Sequence, residues 1–283
     1  MAEMLAVSDA QRGKIWLLTL PELEPAFCAE FAGCPGRLAA GGELFCADRA
    51  APLLRRFSRR TLEPLGSFPI APETEALAAA GERIYALSGA ANCLQSFDAE
   101  SCDLLRSAQV GVYPRALALM PKGRMLAVAG GTDCCLSLLD AEALVPRACW
   151  PVDGIACAAE FFAGCIYALC AEGEYDLRSI VGFIDARGRF QAQIALPGLP
   201  GALCACGGGL LVGHLGCLTM LDAPNCRIRW QTKMRGLPTQ LVPLERFAAF
   251  ADETDGYIGL IDLRRGTIYR RARLECPSGL AVV

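Results

Sequence analysis

Residues 124–140 read Arg124-Met-Leu-Ala-Val-Ala-Gly-Gly-Thr-Asp-Cys-Cys-Leu-Ser-Leu-Leu-Asp140. Two apolar runs of strand length flank a Gly-rich turn, which is the pattern of two antiparallel strands joined by a hairpin. The first run belongs to a set of short apolar segments spaced 37 to 44 residues apart. The copies occupy residues 4–7, 44–47, 84–87, 125–128, 166–169, 210–213 and 247–250. A period of about 40 residues is typical of one four-stranded β-propeller blade.

A second repeat, Pro-x-x-Leu, marks the start of another strand in each unit. Proline lacks a backbone N–H, so it is expected just before a strand rather than inside one. Small apolar residues follow each copy, and small side chains fit the crowded innermost strand near a propeller axis. The copies are Pro35–Leu38, Pro114–Leu117, Pro200–Leu203, Pro238–Leu241 and Pro277–Leu280.

A third repeat is an Asp at the end of an apolar run, where its side chain can accept hydrogen bonds from the backbone N–H groups of a turn. It is absent from the first two units and present at Asp98, Asp140, Asp185, Asp222 and Asp262. Together the three repeats predict an all-β, seven-bladed β-propeller with four antiparallel strands per blade. We expect residues 1–283 to form this single domain.

The phase of the repeat predicts where the ring closes. The chain starts at a second strand, with Met4, and ends at an inner strand over residues 279–283. The C-terminal strand should therefore complete the N-terminal blade, with Leu280–Val283 paired beside Met4–Val7. This arrangement leaves no unpaired inner strand that could template aggregation.

The segments at 83–98 and 124–140 resemble the repeats of bacterial YVTN-type, quinoprotein-like propellers. The chain has Ala-Val-Ala and Tyr-Ala-Leu where that family has Tyr-Val-Thr-Asn. The resemblance implies the propeller architecture along nearly the whole chain. It leaves the activity open, because the family includes binding proteins, lactonase-like enzymes and quinoprotein-like dehydrogenases.

Composition narrows the environment and the partners. The net charge of −3 gives no general attraction to nucleic acid or anionic membranes. No apolar run reaches the roughly 18 residues of a membrane-spanning helix, and no secretory signal pattern is visible. We expect a cytoplasmic monomer with no cofactor and no nucleic-acid or membrane partner. The 16 cysteines are then expected to be reduced.

The loops that open on one end of the channel supply the candidate binding residues. The loops before the inner strands contribute Arg37, Tyr113, Arg115, Thr239 and Gln240. Insertions in one repeat often map to the binding face, and the fifth blade has a polar insertion. That insertion adds the candidates Glu172, Tyr175 and Asp176. A plain longer hairpin explains the same insertion.

Carboxylates recur by symmetry at the same end, at Asp9, Asp48, Asp133 and Asp252. They would suit either a bound cation or ordinary turns, and we favour turns. The lone histidine, His214, excludes zinc sites built from several histidines. Neither Cys204-x-Cys206 nor Cys134-Cys135 has the Cys-x-x-Cys spacing of zinc or redox sites, so no metal is expected.

Two functional hypotheses follow. The first is a non-enzymatic scaffold that binds a protein or recognises a small ligand at the loop-rich face. The second is a lactonase-like hydrolase that uses carboxylates with Arg37 or Arg115 at the channel mouth. Carboxylates converging on one point would favour the hydrolase. The fold cannot choose between the two.

Overall fold

Strands account for the regular structure in the computed structural model, which describes residues 3–120, 124–173 and 177–283. The strands are β1 (Met4–Asp9), β2 (Lys14–Thr19), β3 (Pro25–Glu30), β4 (Pro35–Ala40), β5 (Leu44–Asp48), β6 (Leu53–Phe57), β7 (Pro64–Pro69), β8 (Thr74–Ala80), β9 (Arg83–Ser88), β10 (Cys93–Asp98), β11 (Leu104–Gln109), β12 (Ala116–Leu119), β13 (Met125–Ala129), β14 (Cys135–Asp140), β15 (Pro146–Pro151), β16 (Ile155–Phe162), β17 (Cys165–Glu172), β18 (Arg178–Ile184), β19 (Phe190–Pro197), β20 (Pro200–Cys206), β21 (Gly209–His214), β22 (Cys217–Asp222), β23 (Arg227–Lys233), β24 (Pro238–Pro243), β25 (Phe247–Asp252), β26 (Tyr257–Asp262), β27 (Thr267–Arg273) and β28 (Pro277–Val282). Within these described ranges, no helix is long and apolar enough to cross a membrane.

The strands form seven antiparallel sheets of four, and each sheet is one blade. Blade 1 contains β28, β1, β2 and β3, in that order. Blades 2 to 7 are β4–β7, β8–β11, β12–β15, β16–β19, β20–β23 and β24–β27. The innermost strands pack against one another around the ring, from β28 and β4 through to β24 and β28. The predicted seven-bladed propeller is therefore confirmed.

The seam in blade 1 has the predicted strands and register. Strand β28 pairs with β1, with Val7 opposite Leu280 and Leu5 opposite Val282. Beyond the strand, the amides of Met4 and Val283 each donate to the other residue's carbonyl, at 3.0 and 2.9 Å. Backbone hydrogen bonds between the two ends of the chain thus complete blade 1 and close the ring.

The core lies between blades, and the two-residue period of a strand explains how it is filled. In β9, Ile84 and Ala86 pack against blade 2, while Tyr85 and Leu87 pack against blade 4. Both faces of the sheet are therefore buried, so the second strands are continuously apolar rather than alternating. Cysteine serves as a small apolar residue in this layer: Cys46 is fully buried.

The Asp residues at strand ends form the predicted turns. Asp98 Oδ1 accepts hydrogen bonds from the amides of Glu100 and Ser101, at 3.0 and 2.8 Å. These bonds favour the charged form and lower the pKa of the Asp98 carboxyl. In the second blade, which lacks the Asp, Ser58 Oγ accepts from the amides of Arg60 and Thr61 instead.

Removing residues 279–283 should destabilise the whole ring. The deletion removes the buried Leu280, Ala281 and Val283 together with the hydrogen bonds that close the ring. We expect a loss of about 3–5 kcal/mol or more, and a fall of at least about 6–20 °C in melting temperature. Circular dichroism should show one cooperative transition at the lower temperature. A truncated chain that melts at the full-length temperature would disprove this seam.

Candidate functional site

The inner strands enclose a central channel with a cavity of about 520 Å³. Every blade contributes to its wall, from Arg37 in blade 2 round to Leu280 in blade 1. The loop-rich end of the channel is the one at which the inner strands begin. A second, smaller cavity of about 300 Å³ lies at this mouth, around Arg37 and Glu75.

Strand register divides the channel wall into levels. We call the positions one residue before the repeated Leu, or its equivalent Ala159, the mouth ring. We call the positions one residue after it the far ring. The mouth ring is Arg37, Ala76, Ala116, Ala158, Ala202, Gln240 and Gly279, and the far ring is Ala39, Ala78, Ala118, Glu160, Cys204, Val242 and Ala281. In every blade the far-ring residue pairs with a second-strand residue that packs toward the following blade.

Arg37 ties three blades together at the mouth. Its Nε donates to the carbonyl of Glu75 at 2.8 Å, and its Nη1 donates to the carbonyl of Ser278 at 3.4 Å. Burial lowers the pKa of Arg37, while the nearby carboxylates of Glu253 and Glu75 raise it. This predicted binding residue therefore has a structural role in joining blades 1, 2 and 3.

Tyr113 and Arg115 lie together on the loop that enters blade 4. The Arg115 guanidinium is 5.2 Å from the centre of the Tyr113 ring, within the range of a cation–π contact. The Tyr113 amide donates to Asn92 Oδ1 at 2.8 Å, which fixes the loop to blade 3. Both side chains are exposed, so both are free to contact a ligand or partner at the mouth.

Thr239 and Gln240 line the channel from blade 7. The Oγ1 atom of Thr239 is buried without a hydrogen-bond partner among the described residues. Glu172 lies at the end of β17 and is exposed. The other two candidates from the insertion in the fifth blade, Tyr175 and Asp176, lie outside the described residues.

The recurring carboxylates at the loop-rich end hold loops in place. Asp9 accepts from the amides of Glu275 and Cys276, at 3.1 and 3.0 Å. Asp48, Asp133 and Asp252 accept similar backbone hydrogen bonds. Over residues 3–120, 124–173 and 177–283, no three His, Cys, Asp or Glu side chains are grouped to hold a metal ion. In that part of the chain, the carboxylates do not converge as the hydrolase hypothesis requires.

Glu160 is a channel residue that the sequence analysis missed. It lies in the far ring of blade 5, where its Oε1 accepts from the Phe161 amide at 2.9 Å and its Oε2 from the Ala205 amide at 3.4 Å. Burial raises the pKa of Glu160 to about 7. The available sequence signal was a carboxylate within Ala158-Ala-Glu-Phe-Phe162, where other inner strands have small apolar residues.

A group of exposed apolar side chains lies on the loop-rich face of blades 4, 5 and 6, and of its members only Tyr113 was predicted from the sequence. We call this group the apolar rim. Its members are 37–55% exposed, although all are large hydrophobic residues. They are Val112, Tyr113, Ile155, Leu177, Leu199 and Leu215.

The lone histidine is part of the interior of blade 6. His214 Nδ1 lies 2.9 Å from the carbonyl of Pro197, and Nε2 lies 2.8 Å from Thr219 Oγ1. A carbonyl can only accept, so Nδ1 carries the proton and Nε2 accepts from the Thr219 hydroxyl. Burial lowers the pKa of His214. These two hydrogen bonds hold the His214 ring inside blade 6, which is a structural role.

Comparisons with known proteins support the fold and establish no activity. No family model matches the chain, and no curated protein matches it in sequence. The chain is similar in structure to a protein of unknown function from Desulfotomaculum acetoxidans, at 10% identity and a TM-score of 0.82, covering 99% of this chain and 98% of the other. Apo AztD from Citrobacter koseri is 11% identical, with a TM-score of 0.72 and coverage of 100% and 98%. BamB from Moraxella catarrhalis is 15% identical, with a TM-score of 0.64 and coverage of 100% and 87%.

At such low identities these similarities establish a propeller and no specific activity. Membership of the YVTN-type family stays a prediction.

Replacing Glu160 by Gln should stabilise the protein at alkaline pH. Because the folded pKa of Glu160, about 7, lies above its ordinary value of 4.5, its contribution to stability is complete below about pH 4.5 and is lost progressively as the pH rises from there to about 7. Nearby Tyr167 has its pKa raised to about 12 by burial, so it does not titrate in this range. At about pH 8 we expect Glu160→Gln to add roughly 1–3 kcal/mol of unfolding free energy, with little effect near about pH 5.

Urea unfolding at both pH values measures this difference. Glu245→Gln, at an exposed position on the β24–β25 turn, is the matched control and should change stability equally little at either pH. An equal effect of Glu160→Gln at both pH values would show that Glu160 is ionised in the folded protein throughout this range.

Proposed function

We propose that this propeller is a non-enzymatic binding protein that docks a protein partner on the apolar rim of blades 4, 5 and 6. The observation that supports this most directly is the clustering of the rim. Exposed hydrophobic residues scattered singly over a surface are ordinary, whereas a contiguous group marks an interaction site. The fold alone would fit many functions.

Backbone contacts join the rim members into one arc. The Leu215 amide donates to the Leu199 carbonyl at 2.8 Å, and the Gly198 amide donates to the Leu177 carbonyl at 3.0 Å. These two bonds tie the β19–β20 loop to the β17–β18 loop of blade 5 and to the β21–β22 hairpin of blade 6. Half of the arc is therefore continuous across two blades.

The other half crosses from blade 4 to blade 5. Gly131 forms an isolated β-bridge with Ala156, the neighbour of Ile155. A side chain at Gly131 would lie 2.0 Å from the Tyr113 carbonyl, so the close approach of these loops requires glycine at this position. Tyr113 and Ile155 are thereby held on either side of one narrow junction.

Polar groups surround the arc in the manner of a protein interface. Arg115 adjoins Tyr113 on the channel side, and Asp153 and Glu172 are exposed beside Ile155. Protein interfaces commonly combine an apolar centre, often with Tyr and Arg, with a polar border. The rigid strands beneath the loops would spare the partner much of the entropic cost of ordering the surface.

Introducing negative charges into the apolar rim tests the proposal. We expect Leu199→Glu with Leu215→Glu to weaken partner binding by tenfold or more, because about 1.4 kcal/mol corresponds to a tenfold change. In cells that produce the protein, proximity labelling followed by quantitative mass spectrometry should identify partners of the wild type that the double variant loses. Their affinities are then measured with purified proteins.

The matched control is Leu104→Glu with Ile228→Glu, two residues that are similarly exposed but lie on the outer strands β11 and β23. This variant should keep every partner that the wild type labels. Identical labelling by the wild type and the rim variant would disprove docking on the rim.

A further inference from the structure

Glu160 breaks the symmetry of the channel. The other six far-ring positions are occupied by Ala, Cys or Val, although all seven pair with a second-strand residue that packs toward the following blade. Packing of a propeller axis requires small apolar groups at this level, and a carboxylate there is costly. The substitution of a charge into one blade therefore needs an explanation other than packing.

The hydrogen bonds of Glu160 leave it without a compensating charge. Its oxygens accept from the backbone amides of Phe161 and Ala205. Among the described residues no Lys, Arg or His side chain forms an ion pair with it. An ionised carboxylate offers about four acceptor positions, so about two remain for a group that enters the channel.

The neighbouring thiols do not supply this charge. Cys204, on β20, lies close to Glu160. The pKa of the Cys204 thiol is raised, first by its hydrogen bond with Cys206 and then by burial. Tyr167, which pairs with Glu160 across β17, has its pKa raised to about 12 by burial. A thiol or a phenol is either neutral or negatively charged, so neither Cys204 nor Tyr167 can balance the negative charge of Glu160.

Apolar side chains form part of the cavity wall near Glu160. Leu117, Leu119, Ala159 and Val242 line the same cavity. Glu160 lies three positions beyond Cys157 along β16, which corresponds to roughly 10 Å along a strand, and Cys157 lies one position before the mouth ring. At the mouth, Cys157 lies near Arg115, whose charge lowers the pKa of the Cys157 thiol against the larger, raising effect of burial.

The mouth offers groups suited to an anionic or hydrogen-bonding end. The Arg115 guanidinium is exposed beside it, Gln240 lines the wall, and the buried Thr239 hydroxyl has no partner among the described residues. The channel therefore has a carboxylate without an ion-pair partner at depth and partly apolar walls. Its entrance carries Arg37, already bound to backbone carbonyls, and Glu75, together with the exposed Arg115 and neutral polar groups.

We propose that the channel binds a small linear zwitterion, with its primary ammonium group on Glu160 and its carboxylate at the mouth near Arg115 and Gln240. An ω-amino carboxylic acid with a chain of about five methylenes spans the roughly 10 Å between the two ends. A metal ion does not fit this site, because a hard cation needs six or more oxygen ligands and the groups around Glu160 are amide N–H donors. This site shares Arg115 with the border of the apolar rim, but Glu160 does not contribute to the rim, so Glu160→Gln tests the channel site independently of the rim.

Isothermal titration calorimetry with 6-aminohexanoate, hexylamine and hexanoate tests the site. At about pH 8, where Glu160 is ionised, 6-aminohexanoate should bind tightest, hexylamine at least tenfold more weakly, and hexanoate not measurably. Glu160→Gln should weaken 6-aminohexanoate at least tenfold. The exposed control Glu245→Gln should bind it as the wild type does.

Arg115→Ala separates the two ends of the ligand. It should weaken 6-aminohexanoate and leave hexylamine unchanged, because hexylamine has no carboxylate. Melting curves of each variant confirm that it is folded. The proposal is overturned if hexanoate binds as well as 6-aminohexanoate, if Glu160→Gln binds with unchanged affinity, or if no amine binds with a dissociation constant below about 10 mM.

A direct readout comes from the carboxyl carbon of Glu160. In ¹³C-labelled protein, its resonance is assigned as the carboxyl signal missing from Glu160→Gln. This resonance should shift on addition of hexylamine and stay in place with 1-hexanol, which has the same chain without the charge. An unshifted resonance under saturating hexylamine would also overturn the proposal.

Discussion

The hydrogen bonds between β1 and β28 are the constraint on which the rest of this structure depends. Each blade packs its two faces against two neighbours, so no blade is complete until the ring is closed. Blade 1 packs Leu5 and Val7 against blade 7, and Ala6 and Leu17 against blade 2. Only when the C-terminal strand completes blade 1 are both of these contacts fixed at once.

Closure also determines where function can be located. It fixes the inner strands around one axis, so that a single glutamate in blade 5 faces a channel built by all seven blades. It brings loops from blades 4, 5 and 6 side by side, which produces the apolar rim. The rim and the channel are consequences of the ring and do not exist within any single blade.

Much of this architecture could be predicted from local sequence. The Pro-x-x-Leu repeat locates inner strands because proline is tolerated at a strand start, and Asp98 and its equivalents locate turns through side-chain hydrogen bonds to the backbone. The phase of these repeats identified the seam down to the residues that pair. The burial of His214 between Pro197 and Thr219 was harder to foresee, because its two partners come from separate strands.

The candidate site was less predictable, for physical reasons. Arg37 and Arg115 were both expected at the mouth, but one is bound to two backbone carbonyls and the other is exposed, and the repeat does not distinguish them. Glu160 escaped notice because its level depends on a register shift in β16 between Ala156 and Ala158. In the sequence, Leu199 and Leu215 look like ordinary loop residues. Only the folded ring shows that they lie side by side in one arc.

Native-state hydrogen exchange at the seam tests the central claim of ring closure most directly. The amide of Val283, which donates across the seam to Met4, is compared with that of Leu211 in the middle of blade 6. If closure supports the whole ring, both amides exchange through the same global unfolding event, with equal free energies and equal dependence on denaturant. Exchange of Val283 through a local opening, several kcal/mol easier than that of Leu211, would show that the ring stands without its seam.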